Sequence, residues 1–296
     1  MSSTSPAARL KQRLDQRPVL LAPGAVDPLT AQIAVLAGFE ALYLTGAGIA
    51  YTRLGMPDIG LTTMNDVTDV ITRIADKVSV PLIVDGDTGF GNALNVQRTV
   101  RNFERAGAAA IQLEDQTFPK RCGHLRGKAV VPAEEMVGKI KAAVDARQNG
   151  LLVIGRTDAG AVEGFDRAFE RAELYAEAGA DLIFVEAPRT REELASVPQR
   201  LGKLRPLMAN MVEGGRTPMT PVADLEAMGF SLVVFSAGVV RAMAKTARRF
   251  YDTLRAEGTS DSIREDMYDF EELADIVGTS DLLTIGKRYD TTGGEA

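Results

Sequence analysis

The chain has 296 residues and a formal net charge of −6, and its 45% apolar and 25% charged residues are typical of a globular protein. One Cys and one His exclude a disulfide framework, a Cys/His zinc cluster and a catalytic triad built on any histidine but His124. The negative charge argues against a nucleic-acid or membrane partner, and no apolar run reaches the ~18 residues of a membrane span. Because the N-terminus also lacks the apolar core of a signal peptide, we expect a soluble cytoplasmic protein.

Short apolar runs alternate with longer amphipathic stretches along the chain, a pattern typical of strands and helices in turn. Eight strands are predicted, at 19–21, 41–44, 82–84, 110–113, 151–154, 182–185, 207–209 and 232–235. They recur about every 31 residues, close to the ~30 of a βα unit. Continuous apolar strands between helices indicate a parallel sheet, and no G-x-G-x-x-G motif follows the first strand. The pattern therefore favours a single (β/α)8 TIM barrel over an open dinucleotide-binding sheet.

Helix boundaries in this pattern are marked by capping residues. Asp27-Pro28 predicts a helix start and Ala37-Gly38 predicts its end, and an amphipathic stretch predicts a helix from Asn92 to Arg105. Past residue 257 the chain becomes acidic and holds one or two more predicted helices without a strand. We expect a catalytic barrel at 1–256 and a C-terminal helical extension at 257–296 that packs on the barrel or on a neighbouring subunit.

The predicted strands end in polar residues, at the edge where (β/α)8 enzymes build their active sites. Strand ends attract polar residues in general, but a series of acids, an Arg and an Asn on consecutive strands predicts a functional site. The residues are Thr45, Asp85, Asp87, Glu114, Arg156, Glu186 and Asn210.

Asp85-x-Asp87 is the candidate metal site. Alternate residues at a strand end point the same way, so two carboxylates can share one hard cation. With Glu114 on the next strand the donors are all oxygen, which favours Mg²⁺ or Mn²⁺ over zinc. The alternative is a simple turn in which the Asp side chains cap backbone amides.

The only Cys and the only His lie two residues apart in a loop, Lys-Arg-Cys-Gly-His at 120–124. A lone Cys is usually a buried small apolar residue, but Cys122 stands beside cations and a glycine, and cations favour the ionised thiol. Cys122 is therefore a candidate for proton transfer or nucleophilic attack. His124 is either a substrate ligand or a surface histidine.

At these residues the chain resembles the isocitrate lyase/phosphoenolpyruvate mutase superfamily, from about residue 20 to residue 254. The K-R-C-G-H loop resembles the lyase branch and is absent from the phosphonate-processing branch. The matching motifs are YLTGAG (43–48), GMPDIG (55–60), VDGDTGFGN (84–92), QLEDQ (112–116), PKRCGHLRGK (119–128), GRTDA (155–159), FVEA (184–187) and ANMVEGG (209–215).

The resemblance implies a TIM barrel that exchanges its last helix between subunits, in a homo-oligomer that is a dimer of helix-swapped dimers. It implies Mg²⁺ at Asp85, with Asp58, Asp87 and Glu114 around it, largely through water.

The resemblance also implies roles for individual residues. Cys122 would be the catalytic thiol on a mobile loop, Tyr43 would lie near the metal-bound oxygen, and Glu186 would orient Arg156 or the substrate hydroxyl, with His124 also at the catalytic centre. The residues implied to bind substrate are Thr45, Gly46, Ala47, Asp85, Gly123, His124, Arg156, Asn210 and Ser236.

These features predict an Mg²⁺-dependent lyase that breaks a C–C bond in a small 2-hydroxydicarboxylate of the 2,3-dimethylmalate or 2-methylisocitrate type. Val212 stands where methylisocitrate lyases carry a threonine, which disfavours a tricarboxylate. Ser236 resembles the serine of oxaloacetate hydrolases and keeps open an enzyme that makes oxalate and acetate. A phosphonate-processing mutase or hydrolase, similar to carboxyvinyl-carboxyphosphonate phosphorylmutase, and a catalytically dead barrel are further alternatives.

Overall fold

The computed structural model describes residues 5–289 except 124 and 126. The chain divides into two compact units, Met1–Val240 and Arg241–Ala296. The predicted domain boundary after residue 256 stays a prediction. Within the described residues, no helix combines the length and apolar character that crossing a membrane requires.

The first unit holds a closed barrel of eight parallel strands in sequence order, with β8 paired to β1, which confirms the predicted fold class. All eight predicted strands are present. They are β1 Leu20–Ala25, β2 Leu42–Leu44, β3 Leu82–Asp85, β4 Ala110–Glu114, β5 Leu152–Thr157, β6 Leu182–Val185, β7 Leu207–Asn210 and β8 Leu232–Phe235.

Helices connect the strands. In chain order they are α1 Pro6–Leu14, α2 Pro28–Leu36, α3 Gly46–Ile49, α4 Met64–Ala75, α5 Ala93–Ala106, α6 Ala133–Ala146, α7 Phe165–Glu177, α8 Arg191–Leu201, α9 Val222–Met228 and α10 Gly238–Glu257. A π-helix covers Ala50–Leu54 after α3, and a 3₁₀ turn covers Ala159–Ala161 after β5.

Successive side chains along each strand point to opposite faces of the barrel wall, so they contribute to two separate apolar cores. Leu42 and Leu44 of β2 pack outward against the helices, whereas Tyr43 points into the barrel interior. Both faces of most strands are therefore buried, which explains their unbroken apolar runs. Leu10 and Leu14 of α1 pack into the interior core with the first residues of the strands. Helix α1 thus covers the N-terminal end of the barrel and leaves chemistry to the opposite end.

Capping residues begin the helices where the sequence predicted. The Asp27 side chain accepts a hydrogen bond of 2.8 Å from the Thr30 amide at the start of α2, and Asn92 caps α5 in the same way. Each cap satisfies amides that the first helical turn leaves without a partner.

The second unit is helical. After α10 the described residues form a 3₁₀ helix, Asp261–Asp266, then α11 Phe270–Ile276 and α12 Thr279–Lys287. Arg249 pairs with Asp266 at 2.6 Å within this unit. What the extension packs against stays a prediction.

Candidate active site

The turn after β3 brings two carboxylates to one place. Asp85 ends the strand, and Asp87 adopts a φ of +47°, an uncommon value for a residue other than glycine. The Asp87 carbonyl accepts a hydrogen bond of 2.9 Å from the Glu114 amide, which fixes the turn against β4. A methyl carbon on Gly46 would lie 3.3 Å from both Asp85 Oδ2 and Asp87 Oδ1, so the two carboxylates face the same point.

Asp85 is oriented by a buried amide that links three strands. Tyr43 Oη donates to Gln112 Oε1 at 3.0 Å, and Gln112 Nε2 donates to Asp85 Oδ1 at 3.2 Å. Burial raises the pKa of the Tyr43 hydroxyl well above its usual value, and the Asp85 carboxylate raises it further. Tyr43 therefore stays protonated and remains a hydrogen-bond donor.

A buried lysine stands among the acids. The Lys120 ammonium contacts Asp58 Oδ1 and lies 2.7 Å from Asp87 Oδ1. Burial would lower the pKa of Lys120, but the Asp87 and Asp58 carboxylates outweigh it, and the pKa lies well above its usual value. Burial also raises the pKa of Asp87 to about 6, with Lys120 opposing the shift.

The donor set fits a hard cation. Asp87 Oδ1 and Glu114 Oε1 are buried and accept no hydrogen bond, although Lys120 makes an ion-pair contact with the first. Buried carboxylate oxygens require partners, and Mg²⁺ takes oxygen ligands directly or through its own water. Within the part of the chain that the structure describes, no three acidic, His or Cys side chains form a direct coordinating cluster. Contacts through metal-bound water, which the resemblance implies, would allow these carboxylates to hold a cation without forming such a cluster.

Arg156, at the end of β5, is surrounded by carboxylates. Its Nη1 lies 3.0 Å from Glu114 Oε2, its Nε lies 2.9 Å from Asp158 Oδ2, and its Nη2 lies 3.9 Å from Glu186 Oε1. Burial would raise the pKa of Asp158, but Arg156 and then Lys128 outweigh it and lower the pKa to about 2. The guanidinium is therefore fixed in place and charged.

The ends of β7 and β8 meet through a side-chain hydrogen bond. Ser236 Oγ donates to Asn210 Oδ1 at 3.0 Å, which leaves the Asn210 amide hydrogens to donate elsewhere. On the other side, Thr45 caps α3 by accepting from the Gly48 amide at 3.3 Å, and the Gly46 amide points to Asp85 Oδ2 at 3.4 Å. Ala47 follows within the same short helix.

The Cys122 segment contacts this group of residues. The Cys122 amide donates to the Asp58 carbonyl at 3.2 Å, and the residue itself is half-buried. A methyl carbon on Gly123 would overlap Glu186 Oε1 and lie 2.6 Å from Arg156 Nη2. The predicted residue His124 lies outside the described residues.

The structure adds residues that the sequence analysis did not assign to the site. Gln112 and Glu114 stand two apart on a buried strand, so their shared inward side was a usable signal for Gln112. The ion pairs Lys120–Asp58 and Lys128–Asp158 had no such signal, because each joins segments far apart in the chain.

The chain is similar in sequence to a known family and to several characterised proteins. A family model described as phosphoenolpyruvate phosphomutase matches residues 10–255. The chain is 42% identical to 2,3-dimethylmalate lyase of Eubacterium barkeri, over 96% of this chain and 98% of that one. It is 46% identical to 2-methylisocitrate lyase of Aeropyrum pernix, over 93% of this chain and 88% of that one.

Solved structures agree. Oxaloacetate acetylhydrolase in complex with the inhibitor 3,3-difluorooxalacetate matches with a TM-score of 0.92 and 34% identity over 99% of each chain. Phosphonopyruvate hydrolase, in a complex with oxalate and Mg²⁺, matches with a TM-score of 0.86 and 30% identity over 96% of this chain and 99% of that one.

The barrel with polar residues at its C-terminal edge defines a (β/α)8 enzyme. The chain belongs to the phosphoenolpyruvate mutase/isocitrate lyase superfamily, as predicted. The predicted class of enzyme, a lyase of this superfamily, is also confirmed.

Proposed function

We propose that the chain is an Mg²⁺-dependent lyase that breaks the C2–C3 bond of a small 2-hydroxy acid with two carboxylates, as in 2,3-dimethylmalate, or with three, as in 2-methylisocitrate, releasing a 2-oxo acid and a carboxylate. One observation carries the proposal: buried carboxylates lie beside a buried guanidinium, and the cysteine-bearing segment is packed against both. The residues concerned are Asp85, Asp87, Glu114, Arg156, Glu186, Cys122 and Gly123. The names of the lyase relatives support the same substrate class.

Asp85, with Asp58, Asp87 and Glu114 around it, would hold Mg²⁺ or Mn²⁺, which supplies Lewis-acid stabilisation of negative charge on the C2 oxygen. The two buried carboxylate oxygens without hydrogen bonds support this assignment. We expect chelation with EDTA to abolish turnover and Mg²⁺ to restore it.

Fixed donors would bind the substrate carboxylates. Arg156 keeps its charge because three carboxylates surround it, and Asn210 presents its amide hydrogens because Ser236 holds its oxygen. Together with Thr45 and the amides of Gly46 and Ala47, and with those of Gly123 and His124, they form the proposed binding set.

Cys122 would act as the general acid. When the C2–C3 bond breaks, the departing fragment carries negative charge on C3 and requires a proton, which the thiol donates. Glu186 would orient the C2 hydroxyl and accept its proton as the C2 carbonyl forms, and Tyr43, whose own hydrogen is donated to Gln112, would lie near the C2 oxygen. The packing of Gly123 on Arg156 and Glu186 supports this role for the neighbouring Cys122.

Product analysis by NMR tests the proposal. The purified enzyme with Mg²⁺ is offered 2,3-dimethylmalate, and we expect propionate and pyruvate. Cys122→Ser should lower turnover by about 100-fold or more, the range of general acid catalysis. Full activity in this variant would rule out Cys122 as the proton donor.

A second candidate is an oxaloacetate hydrolase. Ser236 is buried at the end of β8 with its hydroxyl on Asn210, where its oxygen can still accept a hydrogen bond from a hydrated ketone. Oxalate and acetate from oxaloacetate, lost in Ser236→Ala, would establish this reaction in place of the lyase. Turnover of phosphonopyruvate would instead support the phosphonate-processing alternative.

The predicted assembly, a dimer of helix-swapped dimers, belongs to the same proposal. Sedimentation analysis of the full chain should give four copies, and a monomer would contradict it. We also propose that the protein is located in the cytoplasm.

A further inference from the structure

Three buried groups hold the backbone around Cys122. The Gln116 side chain binds the backbone of Arg121, the residue before Cys122, twice. Its Nε2 donates to the Arg121 carbonyl at 2.8 Å, and its Oε1 accepts from the Arg121 amide at 2.9 Å. The Asp58 carbonyl accepts from the Cys122 amide itself. The Lys128 ammonium donates to the Gly123 carbonyl at 2.6 Å.

Lys128 connects this backbone to the site. Its side chain is only 2% exposed, and its ammonium lies 2.6 Å from Oδ1 of the fully buried Asp158. Asp158 in turn holds Arg156 through Nε at 2.9 Å. A buried ammonium must be paired, and here the carboxylate that pairs it also fixes Arg156. Because Gly123 packs against Arg156 and Glu186, one lysine ties both sides of this contact together.

We propose that Lys128 and Gln116 are positioning residues that hold the backbone on either side of Cys122, keep Gly123 packed against Arg156 and Glu186, and thereby set the position of the Cys122 thiol. Neither touches the reacting atoms. The inference rests on the proposed function wherever turnover is measured, but the position of the thiol itself can be measured without a substrate.

The chain has a single cysteine, so alkylation reports on one position. In the full chain with Mg²⁺, the rate of reaction with iodoacetamide is followed from pH 6 to 10 and extrapolated to the fully ionised thiol. Because the limiting rate refers to the fully ionised thiol, it reports how accessible Cys122 is. It does not depend on how much of the thiol a nearby positive charge keeps ionised. Each variant loses partly buried hydrogen bonds to the backbone, so we expect Lys128→Met and Gln116→Met to raise the limiting rate by about tenfold or more.

Turnover gives a second readout. Lys128→Met leaves Arg156 paired with Asp158 and Glu114, so substrate binding should persist. We expect kcat to fall by about tenfold and KM to rise by less than that, because the Gly123 and His124 amides of the proposed binding set move while Arg156 and Asn210 stay in place. Lys128→Arg, which keeps a buried donor, should recover part of the loss.

Lys139→Met is the matched control. Lys139 is also a buried lysine, but its ammonium contacts the Thr88 carbonyl and Glu135 on α6. It should lower the melting temperature without raising the limiting alkylation rate. If neither Lys128→Met nor Gln116→Met raises that rate, the proposal is wrong, and Gln116→Met decides alone if Lys128→Met does not fold. If the alkylation rates rise but the wild-type protein turns over none of 2,3-dimethylmalate, oxaloacetate and phosphonopyruvate, the positioning role of Lys128 and Gln116 is supported and the proposed function is wrong.

Discussion

Charge balance in the site depends on a few buried side chains, and Arg156 is the central one. It faces Glu114, Asp158 and Glu186 at once, and burial raises the pKa of Glu114 well above its usual value with Arg156 opposing the shift. Removing one partner of such a group leaves uncompensated buried charge and destabilises the protein strongly. Substitutions of Arg156 would therefore confuse folding with catalysis, and a change that leaves every charge in place is a better probe.

Gly123→Ala is such a change. A methyl carbon there would overlap Glu186 Oε1 and approach Arg156 Nη2, so the substitution should push the Cys122 segment away from the site. We expect kcat/KM to fall by about 100-fold, the effect of a misplacement of roughly 1 Å. Steady-state kinetics on the substrate identified by NMR measures this, with urea unfolding as the check on stability. Wild-type activity would contradict the observed packing of this segment.

At the scale of strands and helices, local patterns in the sequence were sufficient to predict the fold. Most strands are buried on both faces, so an unbroken apolar run such as 182–185 predicted β6 without any tertiary information. Local side-chain to backbone bonds at Asp27 and Asn92 likewise marked the starts of α2 and α5. These signals act over a few residues, which is why they can be recognised in a single sequence.

The site was predicted less completely because its contacts join distant segments. Asp85 and Glu114 could be assigned to one edge from the order of the strands alone. That Lys120 would lie between Asp58 and Asp87, or that Lys128 would reach Asp158, depends on how the loop after β4 folds back. No local pattern fixes that path.

The seam between β1 and β8 gives a prediction about strand packing. A methyl carbon on Gly24 would overlap the Ser236 carbonyl oxygen and lie 2.8 Å from its carbon, and backbone cannot move aside cheaply. Gly24→Ala should therefore lower the free energy of unfolding by about 1–3 kcal/mol, the usual cost of overpacking. Gly138→Ala, in the interior of α6 with nothing within 4 Å, should instead stabilise by about 0.5–1 kcal/mol. Urea unfolding compares the two, and equal effects would contradict the close approach at the seam.

On the scale of the whole barrel, closure assembles the site from strands that are distant in sequence. Thr45 follows β2, whereas Asn210 and Ser236 belong to the ends of β7 and β8, and only the ring of eight strands brings them to one edge. Unfolding scatters these groups, so the unfolded chain retains no binding site. A ligand that binds across the barrel end must therefore stabilise the folded state.

Thermal unfolding with Mg²⁺ and oxalate makes that argument testable. A ligand present at about 100 times its dissociation constant adds about 2.7 kcal/mol to the free energy of unfolding, which for a chain of this size raises the melting temperature by several degrees. Oxalate mimics a 2-oxo acid and requires both the cation and the carboxylate donors, so we expect a larger shift with both ligands than with either alone. Asp85→Asn should remove the Mg²⁺-dependent part, because it deletes a charge from the proposed metal set, whereas Asp69→Asn on the exposed face of α4 should keep it. A shift that survives in Asp85→Asn would place the cation elsewhere in the molecule.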